Sequence, residues 1–170
     1  MSRYPNRFRA LPTNRIGGRV TVPGDKSISH RALMLGAIAE GKTVVRGFLA
    51  SEDCLATQAA LEAMGVSIER QRDGVVRIDG VGPRGLKTPR GELDLGNSGT
   101  AIRLLMGLLA GQSFDSTLTG DASLKQRPME RVAAPLRQMG ARIATADGGR
   151  PPVAIKGGAS LRGIDYDLSM

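Results

Sequence analysis

One pattern occurs twice in the chain and restricts its fold more than any figure of composition. The run G-R-V-T-V at 18–22 leads to Gly24 and then Arg31, and the run G-E-L-D-L at 91–95 leads to Gly96 and then Arg103. Gly24 and Gly96, like Arg31 and Arg103, stand 72 residues apart. Leu33-Met34 follows the first arginine and Leu105-Met106 the second; each copy later closes on Met-Gly, at 64–65 and at 139–140. A third opening, G-I-D-Y-D-L at 163–168, begins 72 residues after Gly91, and the sequence ends at Met170. A repeat of this length is a supersecondary unit that must pack on its neighbours to bury its apolar face. Two copies and the beginning of a third predict a pseudosymmetric domain, threefold in plan and truncated in its third unit.

Apolar periodicity and turn residues give each copy the order β-α-β-α-β-β, an α/β (α+β) class. In the first, a strand over 18–22 precedes a helix from about Ile28 to Ala39, with Ala32, Leu35, Ile38 and Ala39 as the inward stripe and Gly41 ending it. A strand at 43–46 follows, then a helix at 52–64 capped by Ser51 and closed by Gly65, then strands at 67–70 and 75–79 joined across 72–74. The second copy reads as a strand at 92–95, a helix at 100–110, a strand at 115–119 and a loop at 120–128. A helix at 129–139 follows, which Pro135 should bend or shorten at its start, and strands at 142–145 and 153–156 close the copy. Helices should cover one side of each sheet and bring the glycine turns to a common end. The chain then divides into a mobile leader (1–14), an opening strand (15–22), a first unit (23–86), a second (87–160) and the start of a third (161–170).

The junction P-G-D-K-S-I-S-H-R at 23–31 reads as an anion site. Ser27 can cap the coming helix, whose free amides and positive dipole end attract negative charge. Arg31, four residues on, shares a face with Ser27, and Lys26 lies beside them in the turn. Taken alone, the stretch also fits a capped surface helix with solvated charges. A nucleotide P-loop fits poorly, because Asp25 separates Gly24 from Lys26. The recurrence of the design at 96–103 is what favours function.

Charge agrees with that reading. Lys and Arg number 24 against 16 acids, a net +8, which favours anionic partners. Aromatic residues make up 3% with no Trp, so stacking platforms for nucleic acid are scarce and small anions fit better. Cys54 is the single cysteine and reads as a small core residue; a disulfide within the chain and a cysteine-rich metal site are both excluded. His30, the single histidine, could act as a general base but better suits a structural or surface role, and it cannot build a His-cluster metal site. Residues 1–14 contain three arginines and no apolar run, and no stretch reaches the roughly 20 apolar residues of a membrane span, so a cytoplasmic protein is expected, with neither membrane nor nucleic acid as partner.

Three runs in order, P-G-D-K-S-I-S-H-R at 23–31, L-G-N-S-G-T-A-I-R at 95–103 and G-D-A-S-L-K-Q-R-P at 120–128, resemble the N-terminal portion of the 5-enolpyruvylshikimate-3-phosphate synthase family. The resemblance implies an inside-out α/β barrel of two similar domains, each of three β-α-β-α-β-β units, with the strand at 15–22 belonging to the second domain. It implies transfer of the enolpyruvyl group of phosphoenolpyruvate to the 5-hydroxyl of shikimate 3-phosphate, through a tetrahedral intermediate and without metal or organic cofactor.

By matching position, Lys26, Ser27 and Arg31 would hold shikimate 3-phosphate. Lys26, Asn97, Gly99 and Arg127 would hold phosphoenolpyruvate or the inhibitor glyphosate, with Thr100 and Arg103 as further candidates and Lys125, Arg131 and Asp121 as surface charges. The family's acid and base residues would lie past Met170, so the 170-residue chain is expected to need the C-terminal half of the enzyme and to be inactive alone. The UDP-N-acetylglucosamine enolpyruvyl transferases, and a basic phosphate- or nucleic-acid-binding domain, remain as alternatives.

Overall fold

Asp25, and not Ser27, starts the first helix. In the computed structural model, which describes residues 9–71 and 74–167, Asp25 is extended (φ −71°, ψ 137°) and its carboxylate accepts from the Ile28 amide at 2.8 Å. Helix α1 therefore spans Lys26–Ile38, and Ser27 sits in its first turn. A carboxylate at the cap satisfies a free amide and also lies on the positive end of the dipole, so it takes the position ahead of the hydroxyl two residues later. The inward face differs as well. Leu33, Met34 and Ala37 are buried, whereas Leu35 is 64% exposed and Ala32, Ile38 and Ala39 are only half-buried. The face is fixed by Ser29 and His30, which turn inward one helical turn earlier.

Strand β1 (Glu40–Val45), helix α2 (Glu52–Ala63), and strands β2 (Ser67–Arg70) and β3 (Val76–Val81) complete the first unit. Ser51 caps α2 through the Cys54 amide, and Gly65 follows it at φ +89°, the two ends the sequence predicts. The sheet is antiparallel, in the order β1-β3-β2. Two residues of the predicted hairpin turn, 72 and 73, lie outside the described residues, as do positions 1–8 of the leader and 168–170 of the third opening.

The second unit repeats the plan with strand β4 (Leu93–Asp94), helix α3 (Gly99–Ala110), strand β5 (Ser116–Thr119), helix α4 (Glu130–Gln138) and strands β6 (Arg142–Ala146) and β7 (Arg150–Lys156). The loop before α4 contains a 3-10 turn at Leu124–Gln126, and α4 runs on through Pro135. Its sheet has the order β4-β5-β7-β6, with β4 parallel to β5 and the rest antiparallel. The extra strand marks a difference between the copies. The residues that correspond to β4 in the first unit, 18–22, form no ladder: Val20 is 84% and Val22 76% exposed. The strand predicted there is an unpaired segment, because no neighbouring strand among the described residues supplies its hydrogen bonds.

Burial alternates along β3 and β7, as expected of sheets with helices on one face. One continuous core joins the units: Leu33, Leu61, Met64 and Ile78 from the first, Ile102, Leu105, Met106, Leu118 and Val153 from the second. Glycines allow the chain to double back tightly at both helix starts. A Cβ on Gly24 would stand 1.8 Å from the Gly47 carbonyl oxygen, and one on Gly120 would stand 2.4 Å from that of Gly96. The two turns that open α1 and α3 are thus each pressed against the loop at the end of the next strand.

Candidate anion-binding site

At the start of α1, Lys26 and Ser27 are exposed in the first turn and Arg31 lies one turn on, its Nη1 donating to the Ser27 carbonyl at 3.2 Å. That contact fixes the guanidinium over the helix start. Lys26 Nζ donates to Asp53 Oδ2 at 2.7 Å, from the first turn of α2. This hydrogen bond and the charge of Asp53 push the Lys26 ammonium above its ordinary pKa, while the positive charge of Arg127 acts in the opposite direction. Arg127, from the second unit, is the one cation of that unit whose charge acts on Lys26, and the effect is the smallest of those on it.

Below Lys26 lies His30, fully buried, with Nδ1 2.8 Å from Thr57 Oγ1 on α2. The Thr57 hydroxyl in turn lies 3.4 Å from the Asp53 carbonyl, to which it donates. Burial lowers the pKa of His30, so the ring is neutral near pH 7 and serves to join α1 to α2. Cys54 is also buried, as a core residue should be, its thiol donating to the Lys26 carbonyl at 3.7 Å.

At the start of α3 the cap shifts by one position. Ser98 accepts from the Ala101 amide at 3.2 Å, whereas its counterpart in the first unit, Lys26, follows the capping Asp25. Asn97, the counterpart of Asp25, is released from capping and its side chain is free to reach across. Its Oδ1 accepts a hydrogen bond from Arg127 Nη2, and its Nδ2 donates to Asp121 Oδ2 at 2.8 Å. Arg127 also approaches Ser123 Oγ at 3.4 Å. Gly99 is buried directly below: a Cβ there would lie 3.0 Å from Arg103 Nη1 and 3.1 Å from Arg127 Nη1. Thr100 follows, half-buried in the first turn.

Arg103 donates to the carbonyls of Gly99 (3.2 Å) and Pro128 (3.1 Å), and its buried Nε has no partner. Burial, then the charges of Arg131 and Arg127, lower its pKa. Among the described residues, no carboxylate forms an ion pair with the guanidinium. Arg103 ties the α3 start to the loop that carries Arg127.

The structure thus brings Lys26, Ser27 and Arg31 together on one helix start and Asn97, Gly99, Thr100, Arg103 and Arg127 on the other. Three acids that sequence reasoning left out of the site belong to it. Asp25 caps α1, Asp53 holds Lys26, and Asp121 holds Asn97. Asp121 is exposed, in line with the expected surface charge, but its carboxylate also accepts from the Leu124 amide at 2.7 Å. That bond and the one from Asn97 hold its pKa below the ordinary carboxylate value. Among the described residues, no group of three or more His, Cys, Asp or Glu side chains is placed to hold a metal ion, and no helix is long and apolar enough to cross a membrane.

Comparison with known proteins shows the family of the chain. The family model described as EPSP synthase (3-phosphoshikimate 1-carboxyvinyltransferase) matches residues 11–170. The chain belongs to the EPSP synthase family. It is 64% identical over 161 residues to the 3-phosphoshikimate 1-carboxyvinyltransferase of Methylococcus capsulatus, covering 95% of this chain and 37% of that protein. With the enzyme of the same name from Hydrogenovibrio crunogenus it is 59% identical, over 96% of this chain and 37% of the relative. The solved EPSP synthase of Acinetobacter baumannii superposes with a TM-score of 0.87 at 61% identity, over 90% of this chain and 35% of that one. The EPSP synthase family's repeated β-α units are thus those described above, and this chain spans little more than a third of the length of the curated relatives it matches.

Proposed function

We propose that the chain supplies one substrate-binding face of a 3-phosphoshikimate 1-carboxyvinyltransferase. In that reaction the 5-hydroxyl of shikimate 3-phosphate adds to the enol carbon of phosphoenolpyruvate as the methylene carbon is protonated. Loss of phosphate from the resulting tetrahedral intermediate, with loss of a proton from the methyl group, leaves the enolpyruvyl ether. Lys26, Ser27 and Arg31 take the shikimate 3-phosphate carboxylate, the fork of Arg31 suiting a bidentate contact. Asn97, Gly99 and Arg127 take phosphoenolpyruvate, or glyphosate in its place, with Lys26 between the two anions and Thr100 and Arg103 behind.

The observation that carries this reading is the recurrence of one helix-start design in the two units with different polar groups on each, Arg31 over the Ser27 carbonyl on one and Arg127 on Asn97 at the other. Each start offers free amides and a positive dipole end. The negative charge that builds on phosphate as it leaves falls where Arg127 and Lys26 would stabilise it. The facing wall of the cleft, and the acid and base, come in this proposal from the part of the relatives' length that this chain does not span. The reaction takes place in the cytoplasm.

Calorimetric titration tests the assignment. Shikimate 3-phosphate should bind saturably, and Arg31→Ala should abolish the heat while leaving the fold intact by circular dichroism. Binding of UDP-N-acetylglucosamine in place of shikimate 3-phosphate would move the chain to the sister enolpyruvyl transferases. Binding of neither, with steeply salt-dependent retention on DNA, would favour a phosphate-backbone binder.

A further inference from the structure

Asp121 has an unexpected position for an acid. It stands beside the guanidiniums and helix amides at the start of α3, where a carboxylate opposes the binding of any anion. Its two oxygens are nevertheless both committed. Oδ1 accepts from the Leu124 amide at 2.7 Å and Oδ2 from Asn97 Nδ2 at 2.8 Å, while its own amide donates to the Gly96 carbonyl at 2.9 Å. The residue therefore joins three pieces: the glycine turn before α3, the 3-10 turn at Leu124–Gln126, and the Asn97 side chain.

The Asn97 contact sets a direction. A side-chain amide can present either end to a neighbour, and its two orientations differ only in which end donates. With Nδ2 bound to a carboxylate, only Oδ1 is left to face Arg127, and an oxygen there can accept from the guanidinium where a nitrogen would repel it. Arg127 Nη2 is thereby held by Asn97, and Nη1 is left over the α3 start, at the Gly99 position where a Cβ would lie 3.1 Å away. We infer that Asp121 is a positioning residue: by fixing the orientation of the Asn97 amide it aims the Arg127 guanidinium at the anion held over the start of α3. The inference rests on the proposed phosphoenolpyruvate site for what that anion is, but not for the Asp121–Asn97–Arg127 chain itself.

Asp121→Asn separates this role from loop capping. Its remaining oxygen can still accept from the Leu124 amide, whereas its Nδ2 meets Asn97 as donor against donor, so the Asn97 amide turns over and releases Arg127. In proton–nitrogen spectra of the 170-residue chain, the expected result is a protected Leu124 amide, shifted Asn97 side-chain amide signals and a broadened Arg127 Nε–H. Phosphoenolpyruvate should bind about tenfold more weakly, the loss of about one charge-assisted hydrogen bond, with shikimate 3-phosphate affinity changed less than twofold. Asp121→Glu should restore part of both.

Unchanged Asn97 and Arg127 signals in Asp121→Asn would overturn the inference. If that variant does not fold, Asn97→Ala is read instead, since Asn97 is exposed: Arg127 Nε–H should broaden in the same way, and its constancy would overturn the inference. A parent chain that binds no phosphoenolpyruvate contradicts the site assignment, and the side-chain signals then decide the role of Asp121 alone.

Discussion

A methyl group added at Gly99 tests the site where two guanidiniums close over the start of α3. The Cβ of Gly99→Ala would lie 3.0 Å from Arg103 Nη1 and 3.1 Å from Arg127 Nη1, where ordinary contact begins at 3.4 Å. Both guanidiniums must therefore retreat by about 0.3 to 0.4 Å. They are the ends of flexible side chains, so the backbone need not move. Gly99 has no positive φ, so alanine is allowed there and gains up to about 1 kcal/mol of helix propensity.

The fold should accordingly keep its stability, within about 1 kcal/mol in denaturant titration. The cost falls on the ligand. A charge-assisted bond of about 2.8 Å between Arg127 and an anion tolerates such a shift poorly, and the methyl also occupies part of the space above the helix start. We expect phosphoenolpyruvate to bind about tenfold more weakly, equivalent to about 1.4 kcal/mol, and glyphosate to lose at least as much. Shikimate 3-phosphate, which the proposal places on α1, should be unaffected. Calorimetry with each ligand is the assay. Unchanged phosphoenolpyruvate affinity, or equal losses for both substrates, would refute the reasoning.

Two further predictions concern the scaffold. Leu33→Ala should cost about 2 to 5 kcal/mol in denaturant unfolding, because a fully buried side chain leaves a cavity; Leu35→Ala, two residues away, should stay within about 0.5 kcal/mol. For His30, the folded-state pKa lies below the ordinary 6.5 because burial disfavours the charged ring. Stability from this residue is therefore complete above pH 6.5 and is lost as pH falls through the folded pKa, at up to about 1.4 kcal/mol per pH unit. The melting temperature should drop between pH 7.5 and 5.5, and His30→Asn, which can keep a contact to Thr57, should remove that part of the drop; an identical decline in the variant would count against it.

Much of this architecture could be read from local pattern. Helices α2 and α3 and strand β2 lie within a residue or so of the expected limits because their signals are local: Ser51 and Gly65 around one, a Gly-Thr start and a nearly unbroken apolar run in another. Local pattern departs from the structure where distant residues decide. Leu35 has the apolar character of a core residue, but the inward rotation of α1 is set by His30 meeting Thr57, 27 residues away. The segment 18–22 alternates like a strand, and the partner that the resemblance implies for it belongs to the second domain, outside the described residues. Arg127 and Asn97 were recognisable through the family motifs. Nothing in the sequence marks the role of Asp53, and Asp121 reads as a surface charge, since their partners lie 27 and 24 residues off and an acid beside an anion site looks out of place until its hydrogen bonds are seen.

The central claim is that two copies of one helix start hold two different anions side by side. Chemical-shift mapping of the isotope-labelled chain, with shikimate 3-phosphate and phosphoenolpyruvate added separately, addresses it most directly. The account predicts that the first ligand moves the amides of Lys26 to Arg31, that the second moves Asn97 to Thr100 and the Arg127 side chain, and that Lys26 responds to both. Shifts confined to one helix start for both ligands, or centred on neither, would contradict it.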